Sequence, residues 1–124
     1  ADVLLLKAEA LIMQDTPDLD GAADIIDEVR ERAKLGALSA STRSNKNAML
    51  NALLKERRLE LAFEGQRWFD LVRLDKVEEV MNAVYSKDSG RKAQVYAFDK
   101  TSYRLPIPQS VIDANDKIHQ NPGY

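Results

Sequence analysis

Cysteine is absent from the 124-residue chain, and histidine occurs once, as His119. Without cysteine there can be no disulfide, thiolate metal site or cysteine nucleophile. His119 has no nearby serine or acidic partner pattern, and five glycines form neither a phosphate-binding loop nor a nucleophile elbow. We therefore predict no catalytic residue, no metal site and no cofactor.

The chain also lacks a long hydrophobic run and an excess of charge of one sign. No apolar stretch approaches the roughly 20 residues of a membrane span, and there is no signal peptide. Eighteen Lys and Arg residues against 20 Asp and Glu give a net charge of −2, so we expect no nucleic-acid partner. The length suits a single domain over residues 1–124, which we expect to be all-α from the helical periodicity described below. Because the chain begins without Met, inside a helical pattern, we expect a fragment of a longer protein.

Helical periodicity begins at the N-terminus. A first helix is predicted over residues 2–14, and a second from a Thr16–Pro17 cap to about Leu35, with Gly36 as its terminator. Such a pair is close in length to a tetratricopeptide unit, although any helical hairpin would show the same pattern. A lone repeat cannot bury its own face, so neighbouring helices would have to come from outside this chain.

Three further helices are predicted after a polar loop over residues 37–46. Their expected limits are Ser44 or Asn45 to Phe63 or Glu64, Gly65 onward, and Val77 to Val84 after an Asp75 cap. From Tyr85 a loop tip and two prolines predict an extended, irregular tail. We expect a single helical turn in it, capped by Ser110.

Residues 55–74, KERRLELAFEGQRWFDLVRL, place charges among apolar positions. Arg57 lies in the middle of an apolar arc and the opposite side is apolar too, which predicts a helix buried nearly all round. A buried charge is costly unless it is paired. We therefore predict a structural ion network, whose members are Arg57, Glu60, Glu64, Arg67, Asp70 and Arg73. Arg57 would pair with Glu60 and Glu64, Arg67 or Arg73 would join after the turn, and Asp70 and Arg73 form an i, i+3 pair.

Two catalytic interpretations of the same glutamates are weaker. A di-iron bundle needs Glu-x-x-His pairs, which this chain lacks. A glycosidase needs carboxylates on opposite sides of a sugar, whereas Glu60 and Glu64 lie on one helix beside arginines. Trp68 and Phe69 could stack on a sugar, but their spacing favours core packing. The tyrosines at 85, 96 and 103 are better candidates for exposed contacts, and packing is favoured there as well.

Two motifs carry a family resemblance. The stretch ERRLELAFEGQRWFDLVRL, followed at the C-terminus by LPIPQSVIDANDKIHQNPGY, resembles the C-terminal signature of the SusD/RagB family. ADVLLLKAEAL and IIDEVRERAKLG resemble the helix pair that precedes it. Members commonly have His where Gln66 stands, Glu at Val111 and Pro at Asp116.

The resemblance implies a non-enzymatic, lipid-anchored protein of the bacterial outer membrane, exposed at the cell surface. Such a protein captures a glycan or other nutrient and passes it to a SusC-like, TonB-dependent transporter. The implied fold is α-helical with tetratricopeptide-like pairs. The lipidated N-terminal cysteine of such proteins is missing here, as expected of a fragment. Ligand contacts vary between members, so no ligand-binding residue is assigned. The positions that match the family's motif are assigned to structure: Glu56, Arg57, Glu60, Glu64, Arg67, Trp68 and Asp70.

The alternative that the residues leave open is a tetratricopeptide-type helical scaffold that binds protein partners. A carbohydrate-active enzyme is a more remote third interpretation.

Overall fold

The computed structural model describes residues 1–87 and 98–124. Within those ranges every regular element is helical, which confirms the predicted all-α class. The elements are α1 (Asp2–Met13), α2 (Leu19–Arg32), α3 (Ala40–Arg43), α4 (Lys46–Glu60), α5 (Arg67–Arg73), α6 (Val77–Lys87), a 3₁₀ helix η1 (Lys100–Tyr103) and α7 (Gln109–Ala114). They form two compact units, Ala1–Arg67 and Trp68–Tyr124. The single-domain assignment for residues 1–124 stays a prediction.

The first unit is a helical hairpin, α1 and α2, with α4 packed against both. Its core consists of aliphatic and small side chains at helical spacing: Leu5, Ala8, Ile12, Ala22, Ala23, Ile26, Val29, Met49 and Leu53. Small residues on α2 let neighbouring backbones approach closely. The hairpin predicted from periodicity is therefore present, with a third helix supplying part of the surface that a lone repeat lacks.

The ends of α2 differ from the prediction. Asp18, rather than Thr16, is the N-cap, because its Oδ1 accepts a hydrogen bond of 2.9 Å from the Gly21 amide. The terminator is Lys34, with φ of 57°, and not Gly36. The amides of Lys34 and Leu35 bond back to the carbonyls of Glu31 and Arg30 in a Schellman pattern. A local backbone hydrogen-bond pattern therefore fixes the end two residues before the glycine.

Helix α4 begins as predicted and ends early. Asn45 is its N-cap, with Oδ1 accepting from the Ala48 amide at 2.9 Å. It ends at Glu60 rather than Phe63 or Glu64, because the backbone turns away at Phe63 (φ 68°) and Gly65 (φ 76°).

The expectation that this helix is buried nearly all round is wrong for the described chain. Leu59 is 54% exposed, and Ala62 and Phe63 are also exposed. The physical reason is that α4 presents only one face to α1 and α2, and residues beyond Glu60 leave the helical arc.

In the second unit, α5 follows Gly65 as predicted and α6 follows directly. Asp75, predicted to cap α6, instead terminates α5 in the left-handed region at φ 53°. The amides of Asp75 and Lys76 bond to the carbonyls of Val72 and Leu71, which is again a Schellman pattern. Leu71 and Val77 are buried on either side of this turn.

The predicted aromatic roles are mixed. Trp68 is half-buried, but Phe69 is exposed, so core packing was the wrong expectation for Phe69. Tyr85 packs as expected, stacked on Phe98 with ring centroids 5.4 Å apart. Tyr96 and most of the predicted loop tip lie outside the described residues.

The tail is irregular, as predicted, apart from two short helices. Helix α7 starts after Pro108, and Ser110 lies inside it, so the predicted Ser110 cap is wrong. The fixed φ of proline suits the start of a helix, where no backbone donor is needed.

Candidate functional site

Arg57 occupies the first unit's interior, where its side chain is only 3% exposed. Its Nη2 lies 2.8 Å from Asp2 Oδ1, and its Nη1 donates to the Asp2 carbonyl oxygen at 3.4 Å. Asp2 opens α1 and Arg57 lies on α4, 55 positions later. This ion pair joins the two helices, and Asp2 was not among the partners predicted for Arg57, which were Glu60 and Glu64.

The glutamates of α4 bind arginines of α2. Arg30 Nη1 donates to Glu56 Oε2 at 3.0 Å, where the Glu56 side chain is buried. Arg32 Nη2 lies 2.5 Å from both carboxylate oxygens of Glu60. These contacts cross between helices, whereas the sequence prediction placed the partner of Glu60 on its own helix. Helical periodicity shows which side chains lie on the same face of a helix, but it does not show which other helix packs against that face.

The other predicted members of the network lie as follows. Arg67 Nη1 donates to the Leu54 carbonyl at 3.0 Å, and Glu64 is exposed rather than inside a buried arc. Asp70 is buried and its Oδ1 lies 2.7 Å from Nη2 of Arg73, three positions later. A single network that links all six residues stays a prediction.

Sequence analysis missed a second arginine site in the first unit. Arg43, on the short α3, binds Asp24 at 3.0 Å and Asp27 at 2.5 Å. Its hydrogen bonds to Asp27 and Asp24 raise the pKa of the Arg43 guanidinium further above its ordinary value. Asp27 also accepts from the Leu38 amide at 2.8 Å, so these contacts attach the polar loop to α2.

A polar cluster organises the second unit. Asp75 accepts from the Tyr103 hydroxyl at 2.9 Å and from Lys100 Nζ at 3.1 Å. The hydrogen bond from Tyr103, followed by that from Lys100, lowers the pKa of the Asp75 carboxyl. Desolvation, followed by the bond to Asp75, raises the pKa of the Tyr103 phenol. The cluster ties η1 to the turn between α5 and α6.

Hydrogen bonds from side-chain amides hold the irregular tail together. Gln120 exchanges two hydrogen bonds with the Ile107 backbone, at 2.8 and 2.9 Å. Asn121 Nδ2 donates to the Leu105 carbonyl at 2.7 Å, and the Tyr124 hydroxyl donates to the Arg104 carbonyl at 3.1 Å. These contacts hold residues 104–107 against the C-terminal turn.

A pocket of about 340 Å³ opens beside this braced region. It is lined by Lys100, Thr101, Tyr103, Arg104, Asn121 and Pro122. The volume is at the lower end of the ~300–1,000 Å³ range of small-molecule sites. None of these residues was assigned a binding role from the sequence, because only the folded tail brings positions 100–104 next to 121–122.

The carboxylates give no support to an acid–base pair. Glu56 and Glu60 are each held by an arginine at hydrogen-bond distance, which is the arrangement of structural ion pairs. Among residues 1–87 and 98–124, no group of three or more His, Cys, Asp or Glu side chains could hold a metal ion. In the same part of the chain no helix is long and apolar enough to span a membrane.

Comparison with known proteins decides the family. The model of the SusD family matches residues 1–124, the whole chain. The chain belongs to the SusD family. Two SusD-like proteins of Formosa agariphila are similar to this chain. P2 is 33% identical over the whole chain, and P38 is 40% identical over 68% of it. A solved SusD-like protein from Bacteroides fragilis superposes with a TM-score of 0.75 at 27% identity, over 99% of this chain.

This SusD-family chain spans about a quarter of the length of the first relative and of the solved structure, 25% and 24% respectively. It spans 18% of the second relative. The braced tail, the ion-paired helices and the pocket are therefore features of one part of such a protein's length.

Proposed function

We propose that this chain is the C-terminal helical part of a cell-surface protein that binds a glycan or other nutrient and delivers it to a TonB-dependent outer-membrane transporter. The match of the SusD family model to all 124 residues is the observation that supports this function. The family's members are binding proteins, and the arginine-held glutamates agree with a non-enzymatic role. The full-length protein would be anchored in the outer membrane by an N-terminal lipid.

Within that function, this region acts mainly as a scaffold. Three ion pairs, Arg57–Asp2, Arg30–Glu56 and Arg32–Glu60, join α4 to the hairpin at its interior and its edge. A rigid helical unit of this kind suits a surface that faces the transporter. The principal ligand contacts would lie in the rest of the protein.

Delivery is tested by isolating the partner. Full-length protein carrying an affinity tag is purified from detergent-solubilised outer membranes, and co-eluting proteins are identified by mass spectrometry. We expect a SusC-like, TonB-dependent transporter in stoichiometric amount. An unrelated tagged lipoprotein from the same membranes is the control. Co-elution of soluble protein partners without a transporter would support the alternative, a tetratricopeptide-type protein-binding scaffold.

The non-enzymatic assignment has a separate test. Purified protein is incubated with polysaccharides, and newly formed reducing ends are measured. We expect none above the level without protein. Hydrolysis that disappears in Glu60→Gln or Glu64→Gln would overturn the assignment.

A further inference from the structure

We propose that the pocket between η1 and the C-terminal turn binds a saccharide unit bearing a carboxylate or sulfate group, with Arg104 as its anion-binding residue. This inference rests on the proposed function, since it names the chemistry of a nutrient that the protein would accept. It adds a binding site in a region otherwise assigned to the scaffold.

The pocket is preorganised, because hydrogen bonds hold both of its walls. On one side Asp99 caps η1, with Oδ1 accepting from the Thr101 amide at 2.8 Å. On the other side Asn121 Nδ2 bonds to the Leu105 carbonyl at 2.7 Å. The Tyr124 hydroxyl bonds to the Arg104 carbonyl at 3.1 Å and joins the two sides. A site whose walls are already ordered loses less conformational entropy when a ligand binds.

Gly123 brings the two walls close together. It adopts φ of 97°, and a Cβ atom at this position would lie 2.7 Å from Thr101 Cβ. Only glycine permits this backbone conformation and this approach without strain. The C-terminal turn is therefore packed directly against η1, at the side of the pocket.

Most polar groups that line the pocket are already used inside the protein. Lys100 Nζ and the Tyr103 hydroxyl bind Asp75, and Thr101 Oγ1 donates to Asp99 at 2.5 Å. Among residues 1–87 and 98–124, the Arg104 guanidinium makes no side-chain hydrogen bond or ion pair with another residue. In the described ranges, Arg104 is thus the lining cation that no carboxylate engages, whereas Lys100 is held by Asp75.

The chemistry of Arg104 selects the ligand class. A guanidinium presents a planar fork of N–H donors that matches the two oxygens of a carboxylate or sulfate. Pro122 and the aromatic residue Tyr103 also line the pocket and can contact the apolar face of a sugar. A pocket near the lower size limit accommodates one charged sugar unit rather than a long chain.

Three sugars that differ only at carbon 6 test the proposal: D-glucose, D-glucuronate and D-glucose 6-sulfate. Binding to the full-length protein is measured by saturation-transfer difference NMR titration. We expect glucuronate or glucose 6-sulfate to bind and glucose to bind at least about tenfold more weakly, the loss typical of one charged hydrogen bond. Which of the two anionic sugars binds identifies the charged group. Inorganic sulfate is titrated alongside, and equal affinity for that ion alone would reduce the pocket to an anion site and overturn the proposal.

Variants locate the binding. Arg104→Gln should weaken the affinity for the anionic sugar by about 10- to 100-fold. Arg104→Lys should lose less affinity, because the positive charge remains. Arg58→Gln removes the same charge from an exposed position of α4 that does not line the pocket, and should leave affinity unchanged. Unfolding temperatures of the three variants show whether each is folded.

Two results would contradict the proposal in distinguishable ways. If Arg104→Gln leaves glycan binding unchanged, the pocket is not the binding site, and the proposed nutrient-binding function still stands. Failure to bind any of the sugars, together with failure to bind larger glycans, would count against both.

Discussion

Arg57 is a charged residue in the interior of a helical unit, with a side chain that is only 3% exposed. Removing one partner of a buried ion pair leaves the remaining polar groups without compensation. The side chain of its partner Asp2 is 42% exposed, but the Oδ1 atom that faces Arg57 is itself buried. The guanidinium is almost wholly desolvated as well.

We expect Arg57→Ala to lower the free energy of unfolding by about 3–5 kcal/mol, the cost of breaking a buried pair. Arg58→Ala is the matched control, because Arg58 is the next residue and is exposed; its effect should stay within about 0.5 kcal/mol. Urea unfolding followed by circular dichroism measures both. A loss below about 0.5 kcal/mol for Arg57→Ala would mean that the guanidinium is not buried in solution.

Phe63 combines a left-handed backbone with a fully exposed ring. A bulky residue is disfavoured at this φ, whereas asparagine is several-fold enriched there. We expect Phe63→Asn to raise the free energy of unfolding of the 124-residue chain by about 0.5–1 kcal/mol. The reason is that a left-handed backbone conformation costs roughly 1–2 kcal/mol per residue. Leu59→Asn, at an exposed but helical position, is the comparison and should give no gain. Destabilisation by Phe63→Asn would show that the ring is packed against another part of the protein.

At the scale of elements, the starts and ends of helices follow local hydrogen bonds. The Asn45 cap could be predicted, because a short polar side chain precedes an apolar periodic run. The Lys34 terminator could not, because lysine has no preference for the left-handed region. Asp75 was open to two interpretations, because aspartate is favoured both at N-caps and, among non-glycine residues, in the left-handed region. The partners in the ion pairs could not be predicted from the sequence either, because Arg30 and Arg32 are far along the chain from Glu56 and Glu60.

The cap of α4 gives a prediction of its own. Asn45→Ala removes the acceptor for the Ala48 amide and should cost about 1 kcal/mol of unfolding free energy. Asn47→Ala lies two residues later inside the helix and should be neutral or slightly stabilising, because alanine has the higher helix propensity. Thermal unfolding of the two variants compares them directly. Equal effects would show that the Asn45 side chain does not cap the helix.

The hydrogen bonds of Asp75 to η1 predict that their contribution to stability depends on pH. The pKa of Asp75 is lower in the folded chain than its ordinary value near 3.9. Its contribution to stability is therefore present above the unfolded pKa and is lost as pH falls through the folded pKa. Carbon-13 NMR of the Asp75 carboxyl should show a pKa that rises in Tyr103→Phe, because that variant removes the hydrogen bond that lowers the pKa most. An unchanged pKa in that variant would mean that the hydroxyl contact is absent in solution.

At the scale of the whole molecule, fold class and family could be predicted and ligand contacts could not. The helical class follows from periodicity, and the two sequence motifs indicate the family to which the chain belongs. The pocket could not be foreseen, because its walls come from segments about 20 residues apart that only amide side chains such as Gln120 and Asn121 bring together. The exposed side chains of Leu59 in α4 and of Phe63 after it agree with a chain that covers a quarter of its relatives' length.

The most direct test of the account is binding of the full-length protein to a glycan array, followed by calorimetric titration of the best ligand. The account predicts selective binding to one class of glycan, with no release of reducing ends during the measurement. Absence of binding to every glycan, or turnover of the bound one, would contradict the claim that this SusD-family protein captures a nutrient without altering it.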